Sequence, residues 1–192
     1  MSNFSDFFPV AEGGGLTPKF EEFNSSGTFT PSQALIDAGG YIELFLVGGG
    51  GRGVDANYGG SGGETILKKM YLTSTTGCAV TIGSGATSNG GGGGTTSFTG
   101  SSAGGSDVSA SGGTGSYTSS YKISSKQSSG YGMYGYSSSF GGAGTGFMGW
   151  GAGGTTNNYN NGGIKAAKAN SGQGSAENNT AGSGYCLIKW YE

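Results

Sequence analysis

Glycine fills 46 of the 192 positions, and its placement constrains the fold more tightly than any motif does. Residues 86–181 hold 26 of those glycines but only three of the 19 Val, Ile and Leu residues, namely Val108, Ile123 and Ile164. Sheet-forming residues gather instead toward the two ends of the chain. Glycine shows no strict three-residue period and only three prolines occur, so a collagen triple helix is excluded. A low aliphatic content points toward disorder, yet charged residues are only 10% of the chain and the formal net charge is -2. A simple solvated polyelectrolyte is therefore excluded as well.

Period-two alternation marks the sheet-forming parts. Gly27-Thr-Phe-Thr-Pro31 reads as a short strand closed by proline. Tyr41-Ile-Glu-Leu-Phe-Leu-Val47 is the strongest strand, with Ile42, Leu44 and Leu46 on one face. Residues 64–72, 78–82 and 184–192 also alternate, the last placing Cys186, Ile188 and Trp190 together. The final strand has to pair with early ones, so the expected fold is all-β. It is a compact antiparallel β-sandwich-like frame (25–85 and 182–192) with long glycine-rich loops in an insert (86–181). A Phe-rich segment, 1–24, precedes this 25–192 domain.

The insert poses a separate physical problem. Ordering its 96 residues costs on the order of 100–200 kcal/mol of conformational entropy. Three aliphatic side chains, at roughly 1.5–3 kcal/mol each, cannot offset that cost. Backbone hydrogen bonding can. Runs such as 90–94 and 141–146 lack Cβ atoms over most of their length, so chains approach closely enough to pair peptide groups laterally. Polyglycine II segments have three residues per turn and point their N–H and C=O groups sideways. Packed segments of this kind satisfy the backbone without an oily core.

Several chemistries drop out on composition. The chain has no histidine, which removes Ser-His and Cys-His relays and imidazole metal ligands. Cys78 and Cys186 both lie on the more apolar parity of their strands. They read as two small buried hydrophobes, with a disulfide or a reactive thiol as alternatives. Gly48-Gly-Gly-Gly-Arg-Gly53 formally matches the dinucleotide fingerprint GxGxxG, but residues 54–63 contain four glycines and cannot supply the helix that fingerprint needs. Asp37, Asp55, Asp107, Glu43 and Glu64 are scattered singly, with no pairing that would separate an acid from a base. No enzyme activity, cofactor or metal is expected. One arginine and a pI near 5.1 argue against nucleic acid. The N-terminus lacks signal-peptide features, and the best apolar run, 41–47, is too short to insert in a membrane.

Two aromatic groups stand out. Tyr131, Tyr134, Tyr136, Phe140, Phe147 and Trp150 are mostly flanked by Gly or Ser. Rigid rings among small adaptable neighbours suit a recognition surface; the competing reading is that they wedge between glycine segments. Phe4, Phe7, Phe8, Phe20 and Phe23 are five of the ten phenylalanines, and Gly13-Gly-Gly15 interrupts them. They are candidates for anchoring onto a partner chain or sister subunit, with folding back on the chain's own sheet as the alternative.

The ordered set Ser26-Gly-Thr-Phe-Thr-Pro31, Ile42-Glu-Leu-Phe-Leu-Val-Gly-Gly-Gly-Gly51, Gly62-Gly-Glu-Thr65, Val80-Thr-Ile-Gly-Ser-Gly85, Gly93-Gly-Thr-Thr-Ser-Phe98 and Gly182-Ser-Gly-Tyr-Cys-Leu-Ile-Lys-Trp190 resembles the glycine-rich domain of tailed-phage virion proteins. Tail fibres, fibre tips and adhesin-like structural proteins carry such domains. The likeness covers about residues 25–192. It implies a β framework with extended glycine-rich loops whose tips bind host-surface glycans or outer-membrane proteins. It further implies a location on the virion, at the tail or capsid surface. Attachment to other virion proteins is expected through the N-terminal segment, and assembly as a homotrimer. Two other expectations fit the residues: a capsid or tail decoration (cement) protein without a receptor role, and a glycine-rich ice-binding protein.

Overall fold

The computed structural model describes residues 15–54, 60–115, 130–131, 167, 169–175 and 179–192. The elements in chain order are β1 (Pro18–Phe23), β2 (Gly27–Phe29), the short helix α1 (Gln33–Asp37), β3 (Tyr41–Val47), β4 (Glu64–Tyr71), β5 (Cys78–Thr81), β6 (Thr96–Thr99), a 3-10 turn (Gly100–Ala103), β7 (Asp107–Ala110), β8 (Gly130–Tyr131) and β9 (Tyr185–Tyr191). They form a five-stranded sheet in the order β1-β9-β3-β4-β8 and a four-stranded sheet in the order β2-β5-β6-β7. Every strand pair is antiparallel. The protein is an all-β, sandwich-like fold.

Alternation decides which face each strand buries. In β3, Ile42, Leu44 and Leu46 are fully buried, and β9 sets Cys186 and Ile188 beside them. The second sheet contributes Phe29, Cys78, Val80, Phe98 and Ala110 to the same core. Rings close the centre: the Phe29 centroid lies 5.3 Å from Trp190, edge-on, and 6.3 Å from Phe98. Such pairs add roughly 0.5–1.5 kcal/mol beyond the area they bury.

One end of the sandwich is plugged by α1. Ser32 caps it, its hydroxyl accepting from the Leu35 N–H at 3.0 Å, and Leu35 is wholly buried. The helix closes through Gly40, whose N–H donates to the Leu35 carbonyl. Gly40 has φ +70, and a Cβ there would sit 1.8 Å from the Leu72 carbonyl oxygen. Only glycine meets both conditions.

Two of the expected boundaries are corrected. The frame does not stop at residue 85: β6, the 3-10 turn and β7 lie inside the 86–181 stretch and build half of the second sheet. Their buried residues are Thr96, Phe98, Gly100, Ala103 and Ala110, none of which a tally of Val, Ile and Leu registers. Likewise the 1–24 segment is not separate from the domain, because its residues Pro18–Phe23 pair along their whole length with β9. Cys78 and Cys186 are both free and buried, so no disulfide ties the frame.

Candidate functional site: a bundle of glycine segments

The strands do not end where their sheets end. Beyond β3 the chain continues as residues 48–53, and the N–H groups of this segment turn successively toward four neighbouring segments, with a three-residue repeat at 48/51 and 49/52. Gly48 and Gly51 donate to the carbonyls of Glu64 and Ser61, Gly49 and Arg52 to those of Gly94 and Gly91, and Gly50 and Gly53 to those of Gly182 and Ser175, all at 2.8–3.0 Å. A repeat of three residues per turn is the polyglycine II geometry.

The carbonyls of the same segment point between those donors. Gly49 accepts from Gly113, Gly50 from Ala86, and Gly51 from Ser175. Six segments therefore surround 48–53, in the cyclic order 60–64, 111–115, 91–94, 83–86, 181–184 and 172–175. Each pair of adjacent segments is also bonded: Ser61 to Thr114, Gly93 to Gly113, Gly94 to Ser84, Ala181 to Ala86, Gly182 to Gln173 and Gly63 to Gly172. The result is a hexagonal array in which each pair of adjacent segments is joined by a backbone hydrogen bond.

Close approach is what glycine supplies here. A Cβ on Gly50 would stand 2.0 Å from the Gln173 carbonyl oxygen, and one on Gly49 would stand 2.1 Å from that of Ser84. A side chain at either position would push segments apart and break their hydrogen bonds.

Side chains finish the accounting where the sandwich passes into the bundle. Glu64 is buried, and its carboxylate accepts from the Ser111 N–H at 2.9 Å. The Thr96 hydroxyl accepts from the Gly83 N–H at 3.0 Å. Ser61 accepts from the Thr114 N–H at 2.7 Å. Arg52 reaches along the bundle to donate to the Thr87 carbonyl. Sequence reasoning missed these four; the usable signal was an isolated Ser, Thr or Glu at the junction of a strand and a glycine run.

The two groups of candidate site residues fare differently. Tyr131 lies in β8, its backbone paired with Glu64 at the margin of the five-stranded sheet. Tyr134, Tyr136, Phe140, Phe147 and Trp150 lie outside the described residues, as do Phe4, Phe7 and Phe8. Phe23 is a core residue, 8% exposed, and cannot offer a free ring to a partner. Phe20, on the opposite parity of β1, is 68% exposed. The GxGxxG match is the centre of the array, and its peptide groups are taken by neighbouring segments.

The titration of Cys186 is perturbed by its surroundings. Burial, helped by the charge of Glu21, pushes its thiol from 9.0 up to about 12. The folded protein thus holds this proton to higher pH than the unfolded chain does. The stabilisation is complete below about pH 9 and is lost between there and about 12, at about 1.4 kcal/mol per pH unit. Urea denaturation at pH 8 and at pH 10.5 should show this loss in the parent, and a loss smaller by about 2 kcal/mol in Cys186→Ala.

Fold and site together define a class: a small antiparallel sandwich whose strands run on into a hydrogen-bonded polyglycine bundle. No family model matches the chain, and no curated protein matches it.

Proposed function

We propose that this is a non-enzymatic structural protein of a tailed-phage virion, a small tail fibre or fibre-tip protein that contributes to host-surface binding. The observation that supports the reading most is the bundle. A surface that must endure outside a cell gains from segments cross-linked by backbone bonds around a central one with six neighbours, presenting few side chains for chemistry. The ordered motif set of the sequence points the same way.

In this reading the sandwich is the base and the glycine bundle the distal part. The chain passes through the bundle segment 111–115 just before the stretch that carries Tyr131, Tyr134, Tyr136, Phe140, Phe147 and Trp150. Those rings are assigned the receptor, a host glycan or outer-membrane protein, and the particle carries the protein as a homotrimer. Phe23 is excluded from the anchor by its burial.

Two measurements test the proposal. Immunogold labelling of intact particles should place the protein at the tail; absence from the particle refutes a virion role, and a capsid-surface position favours the decoration reading. Alanine replacement of Tyr131, Tyr134, Tyr136 and Trp150 together should lower adsorption to the host at least tenfold. Unchanged adsorption refutes the receptor assignment.

A further inference from the structure

The two edges of the five-stranded sheet differ. At one, β8 pairs with the first two residues of β4; at the other lies β1, with no strand beyond it among the described residues. Lys19 and Glu21 share the inward parity of Phe23, so this edge carries charge where a sandwich strand ordinarily carries core residues.

Hydrogen bonding fixes which peptide groups β1 leaves open. Thr17 and Glu192 exchange both backbone bonds, at 2.6 and 3.1 Å. Antiparallel ladders alternate, so Thr17, Lys19, Glu21 and Phe23 turn their peptide groups to β9, while Pro18, Phe20 and Glu22 turn theirs outward. The open row therefore holds the N–H and C=O groups of Phe20 and Glu22 and the C=O of Pro18, which has no N–H. Phe20 is 68% exposed.

The side chains along the edge are unevenly partnered. Glu22 is engaged by the Tyr185 hydroxyl, and the Lys19 ammonium lies 3.7 Å from the Glu192 carboxylate with its side chain still 46% exposed. Glu21 is partly buried, and no lysine or arginine among the described residues forms an ion pair with it. Burial raises its carboxyl above the ordinary value, as it does for a carboxylate without a neighbouring cation.

Register decides what fits this edge. A second β1, antiparallel and related by a two-fold axis through the sheet, keeps both faces continuous only when residues of equal parity are opposed. Pairing about Lys19 sets lysine against lysine, and pairing about Glu21 or Glu22 sets glutamate against glutamate; like charges directly opposite are destabilising. Pairing about Phe20 avoids these clashes and supplies Glu21 with a cation, because it opposes Lys19 of each copy to Glu21 of the other. It also sets the two Phe20 rings side by side. The backbone fits the same register: Phe20 exchanges two hydrogen bonds with its symmetry mate, and each Glu22 N–H meets a Pro18 carbonyl, so the missing proline N–H removes only one bond per copy. Lysine, proline and inward charge on an edge strand normally turn foreign strands away; here they match the strand's own sequence.

We propose that β1 is a self-recognition edge, through which two copies of the protein pair antiparallel with Phe20 opposite Phe20 and a Lys19–Glu21 ion pair on either side of the axis, joining their five-stranded sheets into one. The contact is one strand wide, which places it among weak, concentration-dependent associations. An isologous contact closes with two chains, so the threefold assembly of the virion reading uses other surfaces. The inference rests on β1 and stands apart from that reading.

The test replaces Phe20 with photoreactive benzoylphenylalanine in the full chain and irradiates a mixture of isotopically heavy and light protein. Capture should fall on residues 18–22 and should include heavy-light pairs. Capture confined to same-label pairs, capture of any other segment, or no capture overturns the proposal. As a second measurement, sedimentation equilibrium follows the concentration-dependent doubling of mass. Glu21→Lys should weaken this association about tenfold, with the far-ultraviolet circular dichroism unchanged, and Lys19→Glu combined with Glu21→Lys should return it to within about threefold of the parent. An unchanged association in Glu21→Lys, or no recovery in the double variant, would also overturn it.

Discussion

Gly50→Ala is expected to destabilise the protein by at least about 3 kcal/mol, at or beyond the upper end of what overpacking normally costs. The added methyl would lie 2.0 Å from the Gln173 carbonyl oxygen and 2.4 Å from its carbon, both backbone atoms. A flexible side chain could move aside; a peptide group held on both edges cannot. Gln173 accepts from Gly182, and Gly182 accepts from Gly50 itself, so a shift of one segment disturbs three. Gly92→Ala is the control. A Cβ there meets only the Gly113 carbonyl, at 3.4 Å, and Gly92 is exposed. Its cost should be below about 1 kcal/mol, offset in part by the reduced freedom of the unfolded chain. Equilibrium urea denaturation of the two variants against the parent measures both. Equal, small effects would mean that the segments are not packed as described.

Phe98→Ala should cost about 3–5 kcal/mol, the range for deleting a buried aromatic ring. Phe98 is 1% exposed, lies against Phe29, and sits in β6 opposite Val80 and Val108. The size of the effect matters for the architecture, because β6 belongs to the glycine-rich stretch and not to either sheet-forming end. A loss below 1 kcal/mol in the same denaturation assay would return β6 to the loops and leave the second sheet with β2 and β5 alone.

The frame was legible where alternation was long. Residues 41–47 read as a strand and form β3 with those bounds; residues 78–82 give β5, and 184–192 give β9, each trimmed by one or two residues. The short strands inside the glycine-rich stretch were not legible. β6 and β7 are four residues each, and their inward positions are Thr96, Phe98, Val108 and Ala110, of which a count of Val, Ile and Leu registers Val108 alone. β1 was hidden for another reason: Phe20 and Phe23 lie on opposite faces of it, so its rings look like one cluster in sequence while only one of them enters the core.

The glycine bundle was legible in kind and not in arrangement. A run without Cβ atoms announces that backbones can touch, but it carries no pattern of side chains to say which segments do. The centre of the array, 48–53, belongs to the frame half of the sequence and resembles a phosphate-binding loop more than a structural axis. Its neighbours come from both sheets, since β4, β5, β6, β7 and β9 each adjoin one of the surrounding segments. Strand order in the sandwich therefore sets the order of segments in the bundle, and that long-range pairing is absent from any local window of residues.

Amide hydrogen exchange of residues 48–53 in the intact protein, resolved residue by residue by nuclear magnetic resonance, tests the ordered bundle most directly. All six N–H groups donate to carbonyls of surrounding segments, so their protection should approach that of Leu44 and Leu46 in β3, several orders of magnitude above an unstructured chain. Exchange of these six amides within about tenfold of the unstructured rate, with β3 still protected, would contradict the account.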